Sequence, residues 1–152
     1  MRRSAAGQLD PPTREALRKF QKQEGLPPTG MRRLRMLDIR LGDRIELWAM
    51  LRDSHLDDDN VETSVHEYEL KAAVAADTMT IEEIEATPHV LPWIECPMAA
   101  ASAPRLVGQS LSDVASLVRG EFTGVSTCTH LNTLMAGMAD AEQLVTLLHS
   151  AP

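Results

Sequence analysis

The chain of 152 residues is 43% hydrophobic, only 3% aromatic, and carries a formal net charge of −7. That length suits one core that folds without disulfides. With aromatics so scarce the core falls to Leu, Val, Ile, Ala and the eight Met, whose side chains adapt to irregular gaps. The acidic balance excludes a general nucleic-acid binder, which displaces counterions with clustered Lys and Arg, and no apolar run approaches the roughly 20 residues of a membrane span.

The opening "MRRSAAGQLDPP" has basic residues without an apolar stretch and does not read as a secretory signal. Two cysteines in such a chain suit the reducing cytoplasm, the expected location. Asp10 can cap a helix opened by Pro11 and Pro12, with Ala16, Leu17 and Phe20 on one face and Gly25 as its stop. Thr13 to Gly30, "TREALRKFQKQEGLPPTG", resembles the latter half of a peptidoglycan-binding repeat. The helix preceding that half and the T-x-x-x-L segment following it are not present, so it reads as a chance likeness or a remnant. Residues 1–30 are therefore expected to form an N-terminal helical extension, and residues 31–152 the α+β domain.

From Arg33 the apolar period changes to two. "RLRMLDIRL" and "DRIELWAMLRD" alternate around a tight "LGD" turn, placing Ile45, Leu47, Ala49 and Leu51 on one face. "SHLDDDNVET" reads as a polar loop. "SVHEYELKAAVAAD" alternates again, with His66, Tyr68, Leu70, Ala72 and Val74 in phase, and "TMTIEEIEAT" is a weaker fourth strand. "PHVLPWIECPMAAASAP" carries too many prolines for one regular helix. "SLSDVASLVRG" then predicts a helix capped by Ser110 or Ser112, turning Leu111, Val114, Leu117 and Val118 inward and ending at Gly120. A last helix begins near Cys128 with Leu131, Leu134, Met135, Met138, Val145 and Leu148 as its stripe. Strands first and helices after define an α+β fold: an antiparallel sheet of about four strands, C-terminal helices on one face, and an N-terminal helix.

Cys96, Cys128 and His130 hold the most chemical potential. In a helix interior residues i and i+2 point apart, so Cys128 and His130 can share a centre only at a helix end. With Thr127 as cap, Cys128 takes the first helical position, where the macrodipole favours a thiolate. A Cys/Cys/His set suits zinc or an iron–sulfur centre, with His55, His66, an aspartate or solvent as fourth ligand. The spacing is not that of a zinc finger, and buried free thiols beside a helix-start histidine explain the residues equally well. A Cys96–Cys128 disulfide is disfavoured by the compartment. His55, among Asp53 and Asp57 to Asp59, is biased toward its charged form and suits a general acid. The acidic triplet reads as a solvated loop, His66 as a core histidine. The basic first 40 residues and the acidic stretch from Asp53 to Glu69 read as two solvated faces.

"RDSH", "VHEYEL", "IECP", "LVG" and "CTHLNTL" resemble, in order and rough spacing, a bacterial family of unknown function that ends in a G-C-T-H-L motif. By motif match its recurrent polar positions fall on Asp53, His55, His66, Cys96, Cys128, Thr129 and His130. This chain departs in having Thr127 in place of the motif's glycine. More distantly, Cys96, "VGQSL" and "TCTH" resemble the order of elements in iron–sulfur scaffold proteins, whose earlier cysteine is absent here. The family resemblance lends the site weight but implies no reaction. The first reading of the residues is a small cytosolic protein binding zinc or an iron–sulfur centre through Cys96, Cys128, His130 and His55, with a small molecule or a metal-delivery protein as partner. A metal-free enzyme is the alternative, with Cys128 as nucleophile and His55 or His130 moving protons for a small-molecule or acyl-thioester substrate. An interaction module built on the basic N-terminal helix is a further alternative.

Overall fold

The computed structural model describes residues 30–59, 61–92 and 96–150, without the side chains of Cys96 and Pro97. The helix expected between Asp10 and Gly25 lies outside the described residues.

Four strands follow one another in a meander: β1 (Met31–Leu41), β2 (Arg44–Leu56), β3 (Glu62–Ala75) and β4 (Ile81–Val90). They pair antiparallel in the order β1-β2-β3-β4. The alternation read in the sequence sets the inner face. Ile45, Leu47, Ala49 and Leu51 of β2 stand opposite Val74, Ala72, Leu70 and Tyr68 of β3, and all eight are buried. Side chains directly across an antiparallel pair touch, so each row of this face is a packing unit. The opposite face is more polar, with Arg52 paired to Glu67 and Arg44 to Glu83 across strands beside Trp48 and Met50.

Three irregularities adjust the register, one of them near the end of β4, where Tyr68 pairs with Pro88 and Glu67 with Val90 so that His89 is an extra residue. Ala73 pairs with Glu83 and Val74 with Ile81, so Glu82 is an extra residue on β4. The bulge lets Ile81 and Ile84, three positions apart, both turn inward and be buried. On β3, Asp53 pairs with His66 but Ser54 with Ser64, leaving Val65 as the extra residue.

Several expected boundaries shift. β2 runs to Leu56, so Ser54 to Leu56 are strand rather than loop; the backbone N–H of Leu56 donates to the Gly30 carbonyl at 2.9 Å. β4 runs through Pro88 to Val90. It is an edge strand, where a proline's missing N–H spoils no inner ladder. The proline-rich passage is not wholly irregular: Cys96–Leu106 form a 3-10 helix of 11 residues, long for that geometry. Ala99, Ala103 and Leu106 are its buried positions.

Helix α1 (Leu111–Glu121) buries Leu111, Val114 and Val118 and continues past Gly120 by one residue. The Ser110 hydroxyl meets that of Ser112 at 3.0 Å and makes no side-chain cap to the helix. The last helix is two: α2 (Thr129–Gly137) and α3 (Ala141–Ser150), joined by a 3-10 turn at Met138–Asp140. The apolar stripe survives the break, with Leu131, Leu134, Met135, Met138, Ala141 and Val145 all buried. These helices and the inner sheet face share one hydrophobic cluster. The α+β class, with C-terminal helices over an antiparallel sheet, is as the sequence predicts.

Candidate functional site

Where the inner face runs out beyond Leu51 and Tyr68, the next row in phase is polar. Arg33 of β1 pairs with Asp53 of β2, which pairs with His66 of β3. One guanidinium, one carboxylate and one imidazole therefore lie side by side across three strands. The Arg33 fork donates from Nε to Asp53 Oδ1 at 2.7 Å and from Nη2 to Oδ2 at 2.6 Å, the bidentate geometry that matches a carboxylate best. Asp53 is 6% exposed, buried beneath its partners.

His130 reaches this row from the first turn of α2. Its Nε2 lies 3.2 Å from Asp53 Oδ2, and its ring stacks on that of His66 with centroids 3.7 Å apart and planes at 19°. Its Nδ1 faces Cys128 Sγ at 3.7 Å. Both nitrogens of one imidazole thus face chemical partners.

The start of α2 explains how residues two apart meet. Cys128, not Thr127, is the N-cap residue, with an extended backbone at φ −133° and ψ 135°. Its side chain is freed from helical spacing while its carbonyl accepts the Asn132 N–H at 2.8 Å. Asn132 ties the preceding loop to this turn: its Nδ2 donates to the Phe122 carbonyl at 2.8 Å, and its Oδ1 accepts from the Thr127 hydroxyl. Thr127 is therefore used as a hydrogen-bond donor. The loop's left-handed residue is Gly124, at φ 80°.

The electrostatics follow from the packing. The Arg33 fork holds the Asp53 carboxyl below its ordinary value, outweighing burial, which acts the other way. Burial, helped by neighbouring His66 and Arg33, pushes His130 down against the pull of Asp53. His130 is then neutral near pH 7, with a nitrogen lone pair to give to a metal or a proton.

Asp53, His66 and His130 form a group whose ligand atoms all lie within 4.8 Å of one another. Of the residues expected from the sequence, Cys128 and His130 lie with Sγ 3.7 Å from Nδ1, and of these two only His130 belongs to the group. His55 is half-buried, two residues beyond Asp53 on β2 and so about 7 Å further along; it is not part of the group. Cys96 opens the 3-10 helix after β4, and its side chain lies outside the described residues. The cluster is an Asp/His/His set rather than the expected Cys/Cys/His set. His66, read from the sequence as a core histidine and offered only as a possible fourth ligand, is one of its members, and so is Asp53. The signal for both was phase: Asp53 alternates with Leu51, His66 with Tyr68, and Arg33 with Leu37 and Ile39. A polar residue in phase with the core on each of three neighbouring strands is a costly arrangement unless the three meet.

Fold and site together define a small α+β domain with a carboxylate–imidazole cluster at the seam of sheet and helix. Residues 31–143 match the family described as "Protein of unknown function (DUF2889)", and the chain belongs to it. Residues 2–31 are similar to a peptidoglycan binding domain. No curated protein and no solved structure matches the chain. Among the described residues no helix is long and apolar enough to cross a membrane.

Proposed function

We propose that the domain holds one divalent transition-metal ion, zinc or iron(II), between Asp53, His66 and His130. The observation that carries this is the convergence of the three ligand atoms within 4.8 Å. An ion about 2.1 Å from each ligand places its donors roughly 3.4 Å apart, and the separation of 3.2 Å between His130 Nε2 and Asp53 Oδ2 already fits one such edge. Two histidines and one carboxylate suit a mononuclear ion with open positions. They do not suit an iron–sulfur cluster, which thiolates hold.

Two neighbours bear on how the ion enters. Arg33 engages both oxygens of Asp53, but each carboxylate oxygen has a second lone pair. The arginine then orients the ligand from outside, as partners of metal ligands do. A histidine lone pair lies in the ring plane, so two stacked rings cannot aim at one point. Coordination requires the His66 ring to turn out of the stack. Cys128 stands next to His130 and can add a thiolate.

Elemental analysis of protein purified without oxygen tests the proposal. About one zinc or iron per chain is expected, falling below a tenth in His66→Ala and His130→Ala. Metal-free wild type that also fails to take up zinc or iron(II) on titration overturns it.

A second reading rests on the Cys128–His130–Asp53 line itself. A thiol facing one nitrogen of a histidine, whose other nitrogen faces a buried carboxylate, is the arrangement of nucleophile, base and orienting group. In this alternative the chain is a metal-free thiol enzyme acting on a small acyl compound. Cys128 would then react with iodoacetamide far faster than a free thiol in chelator-treated protein, and His130→Ala would abolish the difference. A rate equal to that of free cysteine would remove this alternative.

A further inference from the structure

The eight arginines among the described residues divide unevenly. Arg32, Arg33, Arg40, Arg44 and Arg52 each pair with a carboxylate, and Arg105 donates to the Glu121 carbonyl and covers the Phe122 ring. Among the described residues the side chains of Arg35 and Arg119 have no ion-pair or hydrogen-bond partner. Both line the same cleft, of about 630 Å³, which has Ala115 and Ala136 among its apolar walls and Asp140 as its carboxylate.

The cleft is a neighbour of the Asp53 group. Arg35 stands two residues from Arg33 in the same phase of β1, about 7 Å along the strand, and Thr129, also in the lining, directly precedes His130. Two guanidiniums against one carboxylate leave a net positive wall in a chain of net charge −7. A guanidinium fork recognises planar or tetrahedral oxyanions through paired N–H donors, and the alanines leave room for an apolar body beside it.

We infer that this cleft binds the anionic group, carboxylate or phosphate, of a small-molecule substrate. Its extension, that the reacting end of the same molecule lies at Asp53, His66 and His130, rests on the metal-binding proposal. The charged group would be gripped by Arg35 and Arg119, and the strand rise separates grip and centre by a length that a small molecule spans.

Calorimetric titration with inorganic phosphate and, separately, with benzoate tests the inference on metal-loaded and chelator-treated protein. Saturable binding of one equivalent of at least one probe is expected, and which probe binds assigns the anion. Affinity should fall tenfold or more in Arg35→Gln or Arg119→Gln, and stay unchanged in Arg40→Gln, whose partner is Glu46. Both arginines are exposed, so the variants should keep the thermal midpoint of the wild type, and their zinc uptake should be unaltered. Binding of neither probe, or wild-type affinity in both variants, overturns the cleft assignment. Loss of zinc uptake in the wild type with the probe still bound would overturn the metal site alone.

Discussion

Arg33 is the residue on which the site's order rests, because it fixes both oxygens of a buried carboxylate. Replacing it with glutamine leaves Asp53 short of its charged partner, and an unsatisfied buried acceptor costs about 1–3 kcal/mol. Arg33→Gln is accordingly expected to lower the urea midpoint and to weaken zinc binding tenfold or more, the usual effect of losing a group that orients a ligand. Unchanged zinc affinity would mean that Arg33 serves stability alone. On the outer face, Glu69 has its carboxyl lowered from 4.5 to about 2 by the Lys71 ammonium, the His89 ring and the Trp48 indole around it. A depressed carboxyl stabilises the fold above its unfolded value, and that contribution disappears as pH falls from about 4.5 toward 2. The stability gap between wild type and Glu69→Gln should therefore shrink over that window in denaturant titrations. It should be small throughout, since the pairs lie near solvent.

Among the elements, the entrance to α2 decides whether Cys128 and His130 face one pocket. Asn132 joins the loop after α1 to that turn through Phe122 and Thr127. Asn132→Ala should cost about 1–2 kcal/mol and slow or weaken metal uptake, read by denaturation and by zinc titration. Two glycines offer an opposed pair. Gly120 lies inside α1 with open space around an added Cβ, whereas Gly124 holds φ +80°. Gly120→Ala should stabilise by about 0.5–1 kcal/mol; Gly124→Ala should destabilise, its left-handed backbone resisting a side chain. Equal effects in the two variants would contradict this account of the loop.

At the scale of the whole molecule the sheet was legible because burial on one side imposes a period of two. Ile45 to Leu51 show that period without interruption, and Tyr68 to Val74 show it up to Ala73, which is buried as well. Boundaries were less legible where tertiary position overrides local chemistry: Pro88 is accepted because β4 is an edge, and the stripe from Leu131 to Val145 hides the 3-10 turn at Met138–Asp140 because burial continues across it. Of the site, Cys128 and His130 stood out by their chemistry and proximity in sequence. Asp53 and His66 entered only as motif positions and optional ligands, because only the pairing of β2 with β3 and the placing of α2 above them bring those residues to His130. The core that fixes this placing is continuous from Leu51 and Tyr68 to Leu131. Leu51→Ala should cost about 2–5 kcal/mol through the cavity it opens, and a single unfolding transition is expected.

The most direct test is a crystal structure of the zinc-soaked protein with data collected at the zinc edge. One anomalous peak is expected, about 2.0–2.2 Å from Asp53, His66 and His130, with the His66 ring rotated off His130. A peak bonded elsewhere, or none beside these three residues at full zinc occupancy, would contradict the proposed centre.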